Sequence, residues 1–181
     1  MERKHIAAED FNSNVFDLLA NGWMLLTAGE KDGGNFNTMT IAWGMFGTLW
    51  GRPCVQVVVR PQRYTMEFLE KYDTFTLSAF PMEYRKALSY CGANSGRDGD
   101  KIAEAGLTVV DSEEVEAPTF AEANLVFECR KLYVDKFNGK NFLDKGIVKD
   151  CYPSRDYHVI FIAEVLRVEG TSEFRRNPNE G

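Results

Sequence analysis

Arg60 and Arg63 stand in R-P-Q-R-Y-T (residues 60–65), separated by Pro61 and Gln62. An apolar β run ends at Arg60, Pro61 fixes the backbone after it, and Tyr64 and Thr65 lead into a segment of helical periodicity. Guanidinium forks, a hydroxyl and the N–H groups of a helix start therefore converge on one point, which is chemistry for a phosphate ester. The competing reading is a surface turn whose arginines pair with Glu67 and Glu70.

Three more stretches hold residues that matter chemically. In residues 37–44 (N-T-M-T-I-A-W-G), Thr38, Thr40 and Ala42 alternate with Met39, Ile41 and Trp43. One face of that strand is small and polar, the other bulky. A flat ring can approach the backbone along such a face, although an ordinary solvated face has the same pattern. Residues 95–101 (S-G-R-D-G-D-K) set Arg97 and Lys101 among two glycines, the composition of an anion-binding nest and equally of any loop. His158 shares a strand face with Ile160 and Ile162; a lone histidine in that position is more often a hydrogen-bonded core or rim residue than a catalyst.

The elements that must position these residues read mostly as short strands bounded by turn residues, at 23–28, 38–43, 54–60, 74–80, 107–110, 124–134 and 157–169. This pattern favours an antiparallel barrel over a doubly wound sheet. Three short helices are expected. One follows a Thr65 N-cap, with Glu67 in its first turn and Phe68, Leu69 and Tyr72 as its buried stripe. The second covers 83–91, with Gly92 taking the left-handed conformation at its end, and the third covers 100–105, capped by Asp98 or Asp100 and closed by Gly106. Residues 111–118 form an acidic loop, and 173–181 read as a frayed polar tail.

Composition excludes several functions. At 181 residues with a net charge of −6, the chain is long enough for one domain with a real core and too acidic for a nucleic-acid surface. No apolar run approaches the ~20 residues that span a bilayer, and the first ten residues hold no apolar signal core, so a cytoplasmic protein is expected. Four cysteines, Cys54, Cys91, Cys129 and Cys151, form no C-x-x-C pair and, with only His5 and His158 present, no metal-ligand spacing. G-x-G-x-x-G, the P-loop and G-x-S-x-G are all missing, and no carboxylate pair stands out for acid–base work.

The order of N-T-M-T-I-A-W-G, L-W-G-R-P, V-V-V-R-P-Q-R-Y-T-M-E-F-L, S-G-R-D-G-D-K and Y-H-V-I-F-I-A-E-V resembles the flavin reductase-like, FMN-binding split-barrel family, including its flavoredoxin-like members. The likeness runs through most of the chain. It implies a mostly β fold, a six-stranded antiparallel split β-barrel of Greek-key type with short peripheral helices, as a single domain over residues 1–181. It further implies a homodimer with FMN at the interface and NADH or NADPH as electron donor. On this likeness Asn37, Thr38, Met39 and Thr40 lie along the isoalloxazine. Arg60, Arg63, Tyr64 and Thr65 form the phosphate cradle, and Ser95, Gly96, Arg97 and Lys101 reach the ribityl phosphate. His158, the one candidate catalytic residue, lies beside the flavin or the incoming nicotinamide; Ala163 stands where the family has glycine. Two alternatives stay open: a flavoredoxin-like carrier that serves a redox partner protein without nicotinamide activity, and a non-enzymatic module for haem or another planar ligand.

Overall fold

β-Branched and aromatic runs build ten strands among the described residues, 2–177, of the computed structural model. These are β1 (Lys4–Ile6), β2 (Met24–Glu30), β3 (Asn35–Ile41), β4 (Gly44–Leu49), β5 (Arg52–Val59), β6 (Thr74–Ala79), β7 (Val109–Val110), β8 (Thr119–Phe120), β9 (Leu125–Lys136) and β10 (Val159–Gly170). The main ladder runs β3-β2-β6-β9-β10-β5-β4, with β1 added on β10, and every pairing is antiparallel. Its two ends, β3 and β4, are consecutive in sequence and joined only by Ala42 and Trp43. That link spans at most ~11 Å, so the ladder has to curl until its edges nearly meet. The result is a barrel split between β3 and β4. Register shifts in β10 at Ile162/Ala163 and Val165/Arg167 supply local bends.

Two apolar clusters hold this shape. Leu26, Phe75, Leu77, Phe127 and Phe161 fill the barrel, and Leu25, Phe80, Leu88, Cys91, Phe120 and Val126 pack between its outer face and a helical layer. Strands β2 and β6 are therefore covered on both faces, which explains their nearly unbroken burial, the threonines and serine of β6 included. The helices are α1 (Val15–Asp17), continued by a π-helical turn at Leu18–Gly22, then α2 (Thr65–Lys71), α3 (Arg85–Ala93), α4 (Lys101–Glu104) and α5 (Lys145–Cys151). Asp100 caps α4 by accepting from the Ala103 N–H, and Gly106 follows with φ 69°, both as expected from the sequence.

Several expectations need correction. The ladder has seven strands plus β1, not six, because β4 leaves its apolar side chains largely exposed between glycines and β1 is only three residues long. Thr65 is the first residue of α2 and buried at 1% exposure, so its hydroxyl does not cap the helix. Gly92 lies inside α3, where its smallness serves packing: a Cβ there would sit 3.1 Å from the Thr40 Cβ. The tail is ordered further than expected, since Ser172–Phe174 form a 3-10 turn and Arg175 bridges to Phe11. The part of that expected tail at 178–181 lies outside the described residues.

Candidate functional site

Strand β3 and helices α2 and α3 enclose a groove with two connected compartments that share Met39 and Arg63. The smaller, 220 Å³, is lined by Asn37, Tyr64, Thr65, Ser95, Arg97 and Lys101 among others. The larger, 370 Å³, is lined by Trp23, Thr40, Ile41, Ala42, Arg60, Leu88, Ser89, Gly92 and His158. From Asn37 to Ala42 the strand runs five residues, ~17 Å at an ordinary strand rise. A wider apolar hollow of 420 Å³ lies elsewhere, around Phe11, Phe46 and Phe127, and holds none of the candidate cofactor-binding or catalytic residues.

The small compartment is cationic. Lys101 is buried at 5% exposure, and its Nζ donates to the Cys91 carbonyl at 2.9 Å and the Asn94 carbonyl at 3.0 Å. Among the described residues no carboxylate pairs with it. Burial pulls its pKa down to about 8; the nearby Arg63 charge works the same way, while the Cys91 thiol opposes them. Arg63 donates from Nη2 to the Gly92 carbonyl at 2.8 Å, and burial lowers its pKa also. Arg97 lies over the Tyr64 ring at 4.6 Å and pairs with Glu67. Two desolvated cations with mostly neutral partners favour an anion. Asn37 spans the floor, its Nδ2 donating to the Thr65 Oγ1 at 2.7 Å. Gly96 has to be glycine here, because a Cβ would come within 2.1 Å of the Asn37 Oδ1.

Side chains supply the charge of this cradle. The Met66 and Glu67 N–H groups of the first turn of α2 already donate to the Arg63 and Tyr64 carbonyls and are not open to a ligand.

The large compartment is aromatic and electrically quiet. Arg60 points there rather than into the cradle, because Asp156 neutralises it and the Cys151 carbonyl accepts from its Nη2 at 2.8 Å. Gln62 donates to the same Asp156 carboxylate at 2.9 Å. The His158 Nδ1 shares a 2.8 Å hydrogen bond with the Tyr152 hydroxyl, and the Trp43 ring lies 5.3 Å away. Burial, helped by the Arg60 charge and opposed by Asp156, pushes the imidazole pKa down to about 4. It is a neutral ring at pH 7.

Of the residues singled out in the sequence, Asn37, Met39, Arg63, Tyr64, Thr65, Ser95, Arg97 and Lys101 line the small compartment, and Thr40, Arg60 and His158 the large one. Thr38 does not reach the groove: it is fully buried, bonded to the Thr27 hydroxyl at 2.9 Å and the Leu26 carbonyl at 3.2 Å. The Thr40 hydroxyl is committed to the Leu88 carbonyl, so the small face of β3 seats α3 as well as lining the groove. Ala163 packs in the barrel core, away from both compartments. Sequence reasoning missed Trp23, Ser89, the Tyr152 that bonds His158 and the Asp156 that pairs with Arg60, which come from segments distant along the chain with no motif of their own.

Among the described residues no cluster of His, Cys, Asp or Glu could hold a metal, and no helix is long and apolar enough to cross a membrane. The four cysteines are free.

Comparison with known proteins agrees with this geometry. A protein of unassigned function from Pyrococcus abyssi is 26% identical over 114 residues, which is 62% of this chain and 54% of that one, so the chain matches about half of that relative's length. Among solved structures, the FMN-binding domain of a flavin reductases-like enzyme from Shewanella baltica superposes with a TM-score of 0.69 at 18% identity, covering 98% of this chain and 84% of that one. A flavoredoxin from Methanosarcina acetivorans gives 0.66 at 22% identity, covering 87% and 75%. These likenesses fix the fold as a split barrel. The model of the flavin reductase like domain matches residues 16–178, and the chain belongs to that family.

Proposed function

We propose that this chain binds FMN along the groove and, as a homodimer, acts as a flavin reductase supplied by NADH or NADPH in a reducing, cytoplasmic setting. The observation that carries the reading is the cationic compartment at one end of β3 joined to a neutral aromatic compartment at the other. Lys101 and Arg63 would hold the phosphate, with Arg97, Ser95 and Thr65 around it. Gly96 lets the 95–101 loop close on Asn37, and Met39 to Ala42 with His158 would wall the ring. When bound, FMN supplies reversible two-electron exchange with a reduced nicotinamide. His158, neutral and fixed by Tyr152, excludes water and shapes the donor side without carrying a proton.

Support for the dimer comes from β4. It ends the ladder with Met45 and Leu49 at 59% and 40% exposure, flanked by Trp43 and Trp50 at 50% and 60%, and Phe16 of α1 stands at 83%. An apolar edge of this kind calls for a cover, and a second copy provides one.

The test is anaerobic addition of NADH or NADPH to the FMN-loaded protein, with bleaching of the flavin band as the expected result. Bound flavin that neither nucleotide reduces would favour the second reading, a flavoredoxin-like electron carrier for a protein partner. Failure to take up FMN at all would overturn both.

A further inference from the structure

Trp23 is aimed into the large compartment by three separate devices. The chain reaches it through the π-helical turn Leu18–Gly22, a rare conformation that concentrates at functional sites. Its backbone, at φ 62° and ψ 160°, lies in a region that an L-residue with a bulky side chain occupies only when its surroundings insist. Arg85, at the start of α3, then locks it. The guanidinium stacks over the indole at 3.0 Å from the ring centre, and its Nη1 donates to the Asn21 carbonyl and, at 3.1 Å, to the Gly22 carbonyl. Those carbonyls are ones that the end of a helical turn leaves without partners.

Packing alone does not call for this arrangement. The indole does touch the outer apolar cluster, but it is only half-buried and its remaining surface lines the groove beside Ala42 and His158. Met24, the next residue, pairs with Ile41, which sets Trp23 across from Ala42 where the groove ends. The opposite end is the cationic one, so the indole stands at the far terminus of any ligand whose anion sits on Lys101.

We propose that Trp23 is a ligand-contacting residue that closes the ring end of the site, and that Arg85 is its positioning residue, acting through the indole. This rests on the FMN reading. The class of ligand it selects is a planar, electron-poor ring that reaches the indole from a phosphate on Lys101, because an electron-rich indole held rigidly at the end of the groove favours such an edge. Arg85 draws the indole into place by cation–π attraction while satisfying the strained turn.

The test uses the full chain loaded with FMN. Indole in contact with an excited flavin gives it an electron and takes it back, quenching emission, and phenylalanine does not. Trp23→Phe should therefore raise the emission of bound FMN several-fold, both alone and in a Trp43→Phe background, with FMN affinity lowered less than threefold. Trp23→Ala should weaken FMN about tenfold, or about 1.4 kcal/mol. Arg85→Met should lengthen the flavin emission lifetime, and Arg85→Lys should recover part of the quenching. Unchanged emission and lifetime in Trp23→Phe and Arg85→Met, with wild-type protein binding FMN normally, would overturn the inference while leaving the FMN reading intact. Wild-type protein that binds no FMN would overturn that reading instead.

Discussion

The two ends of the groove treat charge in opposite ways. At the Lys101 end, Lys101 and Arg63 are buried against neutral carbonyls, and desolvation lowers both their pKa values. At the His158 end the guanidinium beside the imidazole, Arg60, is neutralised by Asp156, and burial keeps the imidazole uncharged. An unpaired buried cation is costly unless an anion answers it, whereas a neutral aromatic wall costs little when empty. The contrast orients a ligand that is charged at one end and flat at the other.

Removing the charge at the cationic end should have the largest effect. Lys101→Met deletes the buried ammonium and is expected to weaken FMN roughly a hundredfold, about 3 kcal/mol, in a titration of apoprotein. Titration should show the same dependence in wild type. A phosphate favours protonated Lys101, whose free pKa is about 8, so affinity falls as pH rises above that value, by up to about tenfold per unit. Affinity that stays flat from pH 7 to 10 would remove Lys101 from the cradle.

Gly96→Ala comes next. The added methyl collides with the Asn37 Oδ1 and breaks the Asn37–Thr65 floor, which is expected to cost FMN affinity roughly thirtyfold, about 2 kcal/mol. Calorimetry on the variant checks this, and an unchanged dissociation constant would mean the 95–101 loop lies clear of the ligand.

Arg60→Ala sharpens the contrast from the other side. Its partners are Asp156 and the Cys151 carbonyl, so FMN affinity should change less than about threefold while urea denaturation records a loss of about 1–2 kcal/mol in folding stability. A large loss of FMN with unchanged stability would return Arg60 to the phosphate cradle.

The last effect concerns acid and reads folding stability, not the ligand. The His158 pKa in the folded chain is depressed from 6.5 to about 4, so between those values the unfolded chain binds more protons and stability rises with pH. Wild-type protein therefore loses stability as pH falls from 6.5 to 4, and His158→Gln should lack part of that slope in denaturation curves. Parallel slopes would show that the imidazole is not held neutral by burial.

How far the sequence alone reaches also differs between the two ends. The cations of that end, Arg63, Arg97 and Lys101, lie in two local motifs, 60–65 and 95–101, and the fold brings these motifs together over Asn37. Strand β5, whose apolar run ends just before Arg60, was legible in the same way. The ring end is assembled from segments as distant as Trp23, Leu88 and Tyr152, so no spacing announces it. Its Arg60 was misplaced because sequence adjacency to Arg63 hides the partner, Asp156, that lies 96 residues on. Likewise β4 escaped notice because its alternation exposes apolar side chains instead of burying them, and Trp50 with Gly51 turns the hairpin at φ 53° and 71°, an unusual place for tryptophan.

The division of labour along the groove is tested most directly by one titration, with FMN and with riboflavin, of apoprotein carrying Lys101 or Lys101→Met. Riboflavin has the ring and ribityl chain but no phosphate. The expected result is that wild type binds FMN about a hundredfold or more tighter than riboflavin, and that the variant loses most of this gap while its riboflavin affinity stays within about threefold of wild type. Equal losses for both ligands would contradict it, because Lys101 would then support the whole groove and not read the phosphate.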